Sequence, residues 1–209
     1  MKNIIEALNW RYAVKKFSDK KIPEEKLDII LEALRLTPSS FGMQTWKFIL
    51  VKNEEIREKL VAASWNQRQV ADSSHLIVLA RIDGVEEKDA DKWINFLAEK
   101  QNMPSDKKAG FSEVLKGYLS SATPEAKVDW SAKQLYIALG NLMTTCAVEE
   151  IDACPMEGFN ASQYDEILGL KEHGLKSVLA CPIGYRSDDD PYQNLPKARF
   201  SKEDVFLEI

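Results

Sequence analysis

Five cationic side chains fall in two clusters, Arg11 with Lys15 and Lys16 near the start of the chain and Lys197 with Arg199 near its end. Arginine offers a forked, bidentate donor set and lysine a mobile point charge, a combination suited to phosphate. On spacing alone, the same residues read first as solvated surface charge. The chain has no GxGxxG fingerprint and no GK[ST] P-loop, so a bound phosphate would be held by cationic side chains instead of a glycine-rich turn. His75 and His173 stand alone, without a second His or Cys at zinc-ligand spacing. Cys146, Cys154 and Cys181 form no CxxC pair, and so sparse and odd a set suggests reduced thiols instead of a disulfide framework.

The composition narrows the class. Among 209 residues, 33 Asp and Glu outnumber 28 Lys and Arg, for a net charge of −5, a balance that argues against a nucleic-acid partner. The opening MKNIIEALNW lacks the apolar run of a signal peptide, and no stretch reaches 18 consecutive apolar residues, so neither secretion nor a membrane partner is expected. The reading is a cytoplasmic protein forming one domain over 1–209, with chain enough for a substantial core.

The elements that must position these residues follow from periodicity and caps. Ile4, Ile5 and Leu8 share a face of a short helix ending near Arg11. Pro23 with Glu24 and Glu25 starts a second helix whose core stripe is Leu27, Ile30, Leu31 and Leu34, and Thr37-Pro38 ends it. Residues 46–51 read as a strand, 54–63 as a helix, and the apolar run 75–82 as a strand buried on both faces. A helix is expected over 84–100, while 101–123 mixes polar residues with Phe111 and Tyr118 and gives no clear period. Thr123-Pro124-Glu125 caps a long helix to about 150, with Val128, Leu135, Leu139, Leu142 and Cys146 at three- and four-residue steps; from Leu135 onward apolar residues nearly encircle it, so a central, buried helix is expected. Gly140 in its middle costs about 1 kcal/mol relative to alanine, which a closely approaching backbone would explain. A short strand at 151–154, a helix from Asn160 with Gln163 at the capping-box position, and a strand at 177–184 complete an α+β pattern without repeats.

The segments NWRYAVKKF, PSSFGMQTWKFILV, the Asn66 region, PMEGF at 155–159 and LPKARF occur in this order across nearly the whole chain. Together they resemble the FMN-dependent nitroreductase family, in particular its oxygen-insensitive NAD(P)H nitroreductase and dihydropteridine reductase branch. The resemblance implies a central, mostly antiparallel sheet flanked by helices, and an intertwined homodimer with shared active sites and a C-terminal tail reaching the partner. It assigns Arg11, Lys197 and Arg199 to the FMN phosphate and ribityl chain, Tyr12 and Ala13 to backbone contacts, and Lys15 to the pyrimidine end, where a cation stabilises the charge of the reduced ring. Ser39, Ser40 and Phe41 would come from the partner subunit, with Gln44 fixing that segment. Asn66 would bond the pyrimidine edge, beside Gln69. Pro155, Met156, Glu157 and Gly158 would run past the ring, the N–H of Glu157 donating to flavin N5. Phe41, Phe111 and Tyr118 would set acceptor preference. The implied activity is ping-pong transfer of two electrons from NAD(P)H to a nitroaromatic, quinone or pterin-like acceptor, with the cofactor performing the redox chemistry. Enone reduction or flavin breakdown on the same fold, or FMN storage without turnover, are the alternatives.

The chain departs from its relatives at several positions. Tyr12-Ala13 replaces a common His-Ser, Phe41-Gly42 follows the serine pair, and Gln44-Thr45-Trp46 stands for Gln-Pro-Trp. Gln69 replaces a lysine near the pyrimidine end. Losing that charge is expected to make the flavin potential more negative and to weaken binding of anionic substrates. Potentiometric titration of Gln69→Lys should therefore find a raised potential; an unchanged potential contradicts this reading.

Overall fold

The computed structural model describes residues 3–209. Its sheet has four strands in the order β1-β2-β4-β3, namely β1 (Trp46–Val51), β2 (His75–Ile82), β3 (Asp152–Ala153) and β4 (Leu175–Gly184). All three pairings are antiparallel, with Trp46 opposite Arg81 and His75 opposite Ile183. Around it lie α1 (Ile4–Trp10), α2 (Glu24–Arg35), α3 (Glu54–Ala63), α4 (Gln69–Asp72), α5 (Glu87–Lys100), α6 (Ser105–Ser121), α7 (Pro124–Val148), α8 (Ala161–Ile167) and α9 (Lys202–Val205).

The period-2 alternation of β2 divides the core. Ile77 and Leu79 face a cluster built with Ile30 and Leu34 of α2 and Leu135, Leu139 and Leu142 of α7. Leu76 and Val78 face the other way, onto Leu60 of α3 and Tyr164 of α8. The apolar run at 75–82 is thus buried on both faces, as expected. Trp46 joins the first cluster, so this tryptophan is core.

Several sequence expectations are corrected. Residues 105–121 form a full helix, although few of its residues are buried and Gly110 and Gly117 interrupt it, which left little amphipathic signal. The expected helix over 84–100 begins only at Glu87. Thr123 does cap α7, accepting from Ala126 N–H with Pro124 in the first turn. Val128 on that helix is exposed, however, as are Tyr136 and Ile137, so α7 is not buried all round. A Cβ at Gly140 would meet nothing within 4 Å, so no backbone of this chain approaches it closely. Asn160 accepts from Gln163 N–H, yet Gln163 does not return the bond that a capping box requires.

One buried cation locks the entry to β2. Arg57 on α3 is 4% exposed and donates through Nε to Val70 O at 3.0 Å, through Nη1 to Ser74 O at 3.1 Å, and through Nη2 to Ala71 O at 2.7 Å. These carbonyls belong to α4 and the turn after it, where helix-end acceptors otherwise lack partners. Burial lowers the pKa of the guanidinium, with Glu54, Asp72 and Glu58 opposing that shift. Arg57→Met leaves the carbonyls without donors, and urea denaturation should find a stability loss of about 3 kcal/mol. A loss below about 0.5 kcal/mol would mean that Arg57 does not hold this turn.

Candidate functional site

The run after α1 lies across the end of the sheet. Ala13 bridges Ala153 in parallel, and Phe17 bridges Arg186. Arg186 clamps the run from below. It forms an ion pair with the buried Asp152 at 2.5 Å, and its guanidinium stacks 4.3 Å from the Trp10 ring and 4.5 Å from the Tyr12 ring. From above, the buried Asp190 accepts the N–H groups of Lys15 and Lys16, each at 2.8 Å, and that of Tyr192 at 2.9 Å. Burial pushes the Asp190 carboxyl up, but the three N–H donors outweigh it and hold its pKa below the ordinary value.

This clamping brings the two cationic clusters together. Lys197 Nζ donates to the carbonyl of Arg11. Arg11, Lys15, Lys197 and Arg199 all line one cavity of about 440 Å³, with Tyr12 and Tyr192 among its walls and no carboxylate in its lining. Among the described residues, no acceptor bonds the buried Arg11 Nε. Burial, and after it the charge of Arg199, lowers the Arg11 pKa; burial, Arg11 and Arg199 lower that of Lys197. Like charges gathered in this way, with a buried donor left unpaired, are suited to an anion. Lys16 is turned elsewhere, paired with Asp189.

Beside the cavity the chain places the other expected residues. Lys15 Nζ is 3.7 Å from Cys154 Sγ, and Gln69 Nε2 reaches the same sulfur at 3.9 Å while bonding Gln67 Oε1 at 3.1 Å. Gln67 Nε2 donates to Gly158 O at 2.8 Å. The ring of Trp65 lies over Gly158, where a Cβ would fall 2.9 Å from it. Asn66 sits between Trp65 and Gln67 with φ 61°, a left-handed conformation that asparagine tolerates. Met156 pairs with Ala180 through both backbone bonds, at 2.8 and 3.0 Å. Pro155 precedes it. The N–H of Glu157 makes no hydrogen bond among the described residues, while its carboxylate accepts from Tyr136 OH at 2.7 Å.

Ser39, Ser40, Phe41 and Gln44 form a second group. Ser40 N–H donates to Gln134 Oε1 at 2.8 Å, Gln44 N–H to Ser39 Oγ at 3.0 Å, and Gln44 Nε2 to Gly42 O at 3.2 Å. These two bonds of Gln44 close the loop on itself. The Phe41 ring lies 5.5 Å from that of Tyr118, and Phe111 packs in the same cluster. Among the described residues, no hydrogen bond joins this group to Arg11, Lys15, Gln69 or residues 155–158. Sequence reasoning missed Asp190, Arg186, Gln67, Gln134 and Trp93. Asp190 ends a run of three aspartates, and nothing in the run distinguishes a buried acceptor from solvated charge.

The Nitroreductase family model matches residues 8–185. A Bacillus subtilis protein named "Putative NAD(P)H nitroreductase YfkO" is 38% identical, over 97% of this chain and 95% of its own length. Among solved structures, a Staphylococcus epidermidis protein named "putative NAD(P)H:FMN oxidoreductase" superposes with a TM-score of 0.84 at 27% identity, covering 100% of this chain and 97% of that one. An Exiguobacterium sibiricum protein named "putative nitroreductase in complex with FMN" gives 0.83 at 23% identity, covering 100% and 98%. The four-stranded antiparallel sheet with its flanking helices is the fold of these proteins, and the chain belongs to the nitroreductase family.

Proposed function

We propose that this chain is an FMN-dependent NAD(P)H oxidoreductase of one domain, reducing nitroaromatic, quinone or pterin-like acceptors by two electrons at a time. The observation that carries the reading is the cavity lined by Arg11, Lys15, Lys197 and Arg199 without a carboxylate. The residues present fit FMN. The buried, unpaired Arg11 Nε matches a phosphate oxygen, and the free N–H of Glu157 matches a ring acceptor. Lys197 and Arg199 add charge to the phosphate and ribityl end, while Tyr12 and Ala13 offer backbone contacts. Bound FMN supplies hydride transfer, which none of these side chains can perform.

The chain's own residues do the positioning. Lys15 and Gln69, flanking Cys154, would face the pyrimidine end with Asn66, where Lys15 would stabilise negative charge on the reduced ring. Pro155, Met156 and Gly158 hold the strand that presents Glu157 N–H. NAD(P)H and the acceptor take turns at one face, the ping-pong order, and no side chain is required as nucleophile or general base. A cytoplasmic location belongs to the same reading, and no described helix is long and apolar enough to cross a membrane.

The site is completed in a homodimer, with Ser39, Ser40 and Phe41 serving the partner's cofactor. Three apolar features of the single chain support this. Ile4, Ile5 and Leu8 are exposed on α1, and Tyr136 and Ile137 are exposed on α7 beside the open space at Gly140. The tail carries exposed Phe200, Phe206, Leu207 and Ile209, matching an apolar cavity of about 550 Å³ beside the edge strand β1, lined by Trp46, Phe48, Trp93 and Phe96. A tail laid over the partner's β1 would cover both surfaces.

Anaerobic mixing with NADH and NADPH in turn tests the activity. The purified protein should be yellow, and at least one reductant should bleach its visible flavin absorbance. Yellow protein bleached by neither would reject the reductase reading in favour of FMN binding without turnover. In the same preparation, stable monomers with full FMN affinity would contradict the shared site.

A further inference from the structure

The loop 39–44 holds a conformation that its sequence alone would not choose. Phe41 has φ 54° and ψ 6°, left-handed values that a bulky residue rarely adopts, and Gly42 and Gln44 follow at φ 70° and 48°. Such a turn persists only where its surroundings impose it. Gln134 holds one end through Ser40 N–H, and Ser39 Oγ closes the other on Gln44. The centre is held by Trp93 of α5. Its indole Nε1–H donates to the carbonyl of Phe41 at 2.8 Å, and a Cβ on Gly42 would fall 2.5 Å from its Cζ2. The indole therefore occupies the space that any side chain at 42 would need. The result aims the half-buried Phe41 ring onto Tyr118, at 5.5 Å, which in turn meets Trp130 edge-on at 5.4 Å.

We infer that Trp93 is a positioning residue for acceptor selection: by fixing the Phe41 backbone it sets the aromatic wall, Phe41 on Tyr118, against which a large planar acceptor rests. This inference rests on the reductase reading above. Trp93 bonds the carbonyl of Phe41 and packs against Gly42, so it acts on the wall through Phe41. Losing its donor lets Phe41 relax out of the left-handed region and takes the ring away from Tyr118. A bicyclic acceptor that spans the wall loses contact area, whereas a monocyclic one loses little.

The test is equilibrium binding to the oxidised, FMN-loaded protein without reductant, so that no turnover occurs. Menadione and 1,4-benzoquinone are titrated against the flavin absorbance. Trp93→Phe keeps an aromatic ring and removes the N–H. Menadione Kd should rise about tenfold and benzoquinone Kd less than about twofold, the former matching loss of one hydrogen bond's worth of positioning. Equal weakening of both quinones, or no change in either, would overturn the inference. Should Trp93→Phe not fold, Gly42→Ala displaces the same indole from the other side and must give the same selective loss. Colourless wild-type protein would strike at the flavin reading, whereas yellow protein with unaltered selectivity strikes at Trp93 alone.

Discussion

Like charges repel, and the fold holds Arg11, Lys197 and Arg199 about one cavity with no carboxylate in its lining. Everything around the site serves that constraint. Asp190 does not neutralise these cations; its carboxylate is occupied by the N–H groups of Lys15, Lys16 and Tyr192. Asp152 is likewise occupied by Arg186, which stacks on Trp10 and Tyr12. The nearby acids are thus used to fix backbone, and the positive charge of the cavity is left for a ligand. Burial and the like charges of their neighbours lower the pKa values of Arg11 and Lys197, as such an arrangement requires.

The sheet makes the arrangement possible. β2 and β4, buried on both faces, form a rigid floor, and the Ala13–Ala153 and Met156–Ala180 bridges tie the two site segments to its β4 side. Arg57 fixes α4 on the same floor, and with it the Gln69 side chain that reaches Cys154. The loop bearing Phe41 is anchored by α5 and α7 instead, which puts it in a separate group within one subunit. Two half-sites on one chain, each with exposed apolar surface nearby, are what a shared site between two copies would require.

Much of this was legible in the sequence for identifiable reasons. The β2 run and the Thr123-Pro124 cap announce themselves locally, because an all-apolar octet and a capped helix start have few other readings. The cationic clusters were visible as charges, but only the fold shows that Lys197 reaches back to the carbonyl of Arg11. Helix α6 was not legible, since two glycines and few buried positions leave it without a stripe. Neither was the left-handed Phe41, for a bulky residue gives no local signal for positive φ, and what imposes it is an indole 52 residues away in sequence. Asp190 was hidden for the same reason: two of its three backbone donors, the N–H groups of Lys15 and Lys16, are brought to it by tertiary structure.

The central claim is that the Arg11, Lys197 and Arg199 cavity recognises a phosphate. Isothermal titration of the apoprotein with FMN and with riboflavin, which differ by that phosphate alone, tests it most directly. The account predicts that FMN binds at least about 100-fold more tightly, as expected for a few charge-assisted bonds to one phosphate, and that the difference shrinks as salt is added. Equal affinity for the two flavins, or a difference indifferent to salt, would contradict it.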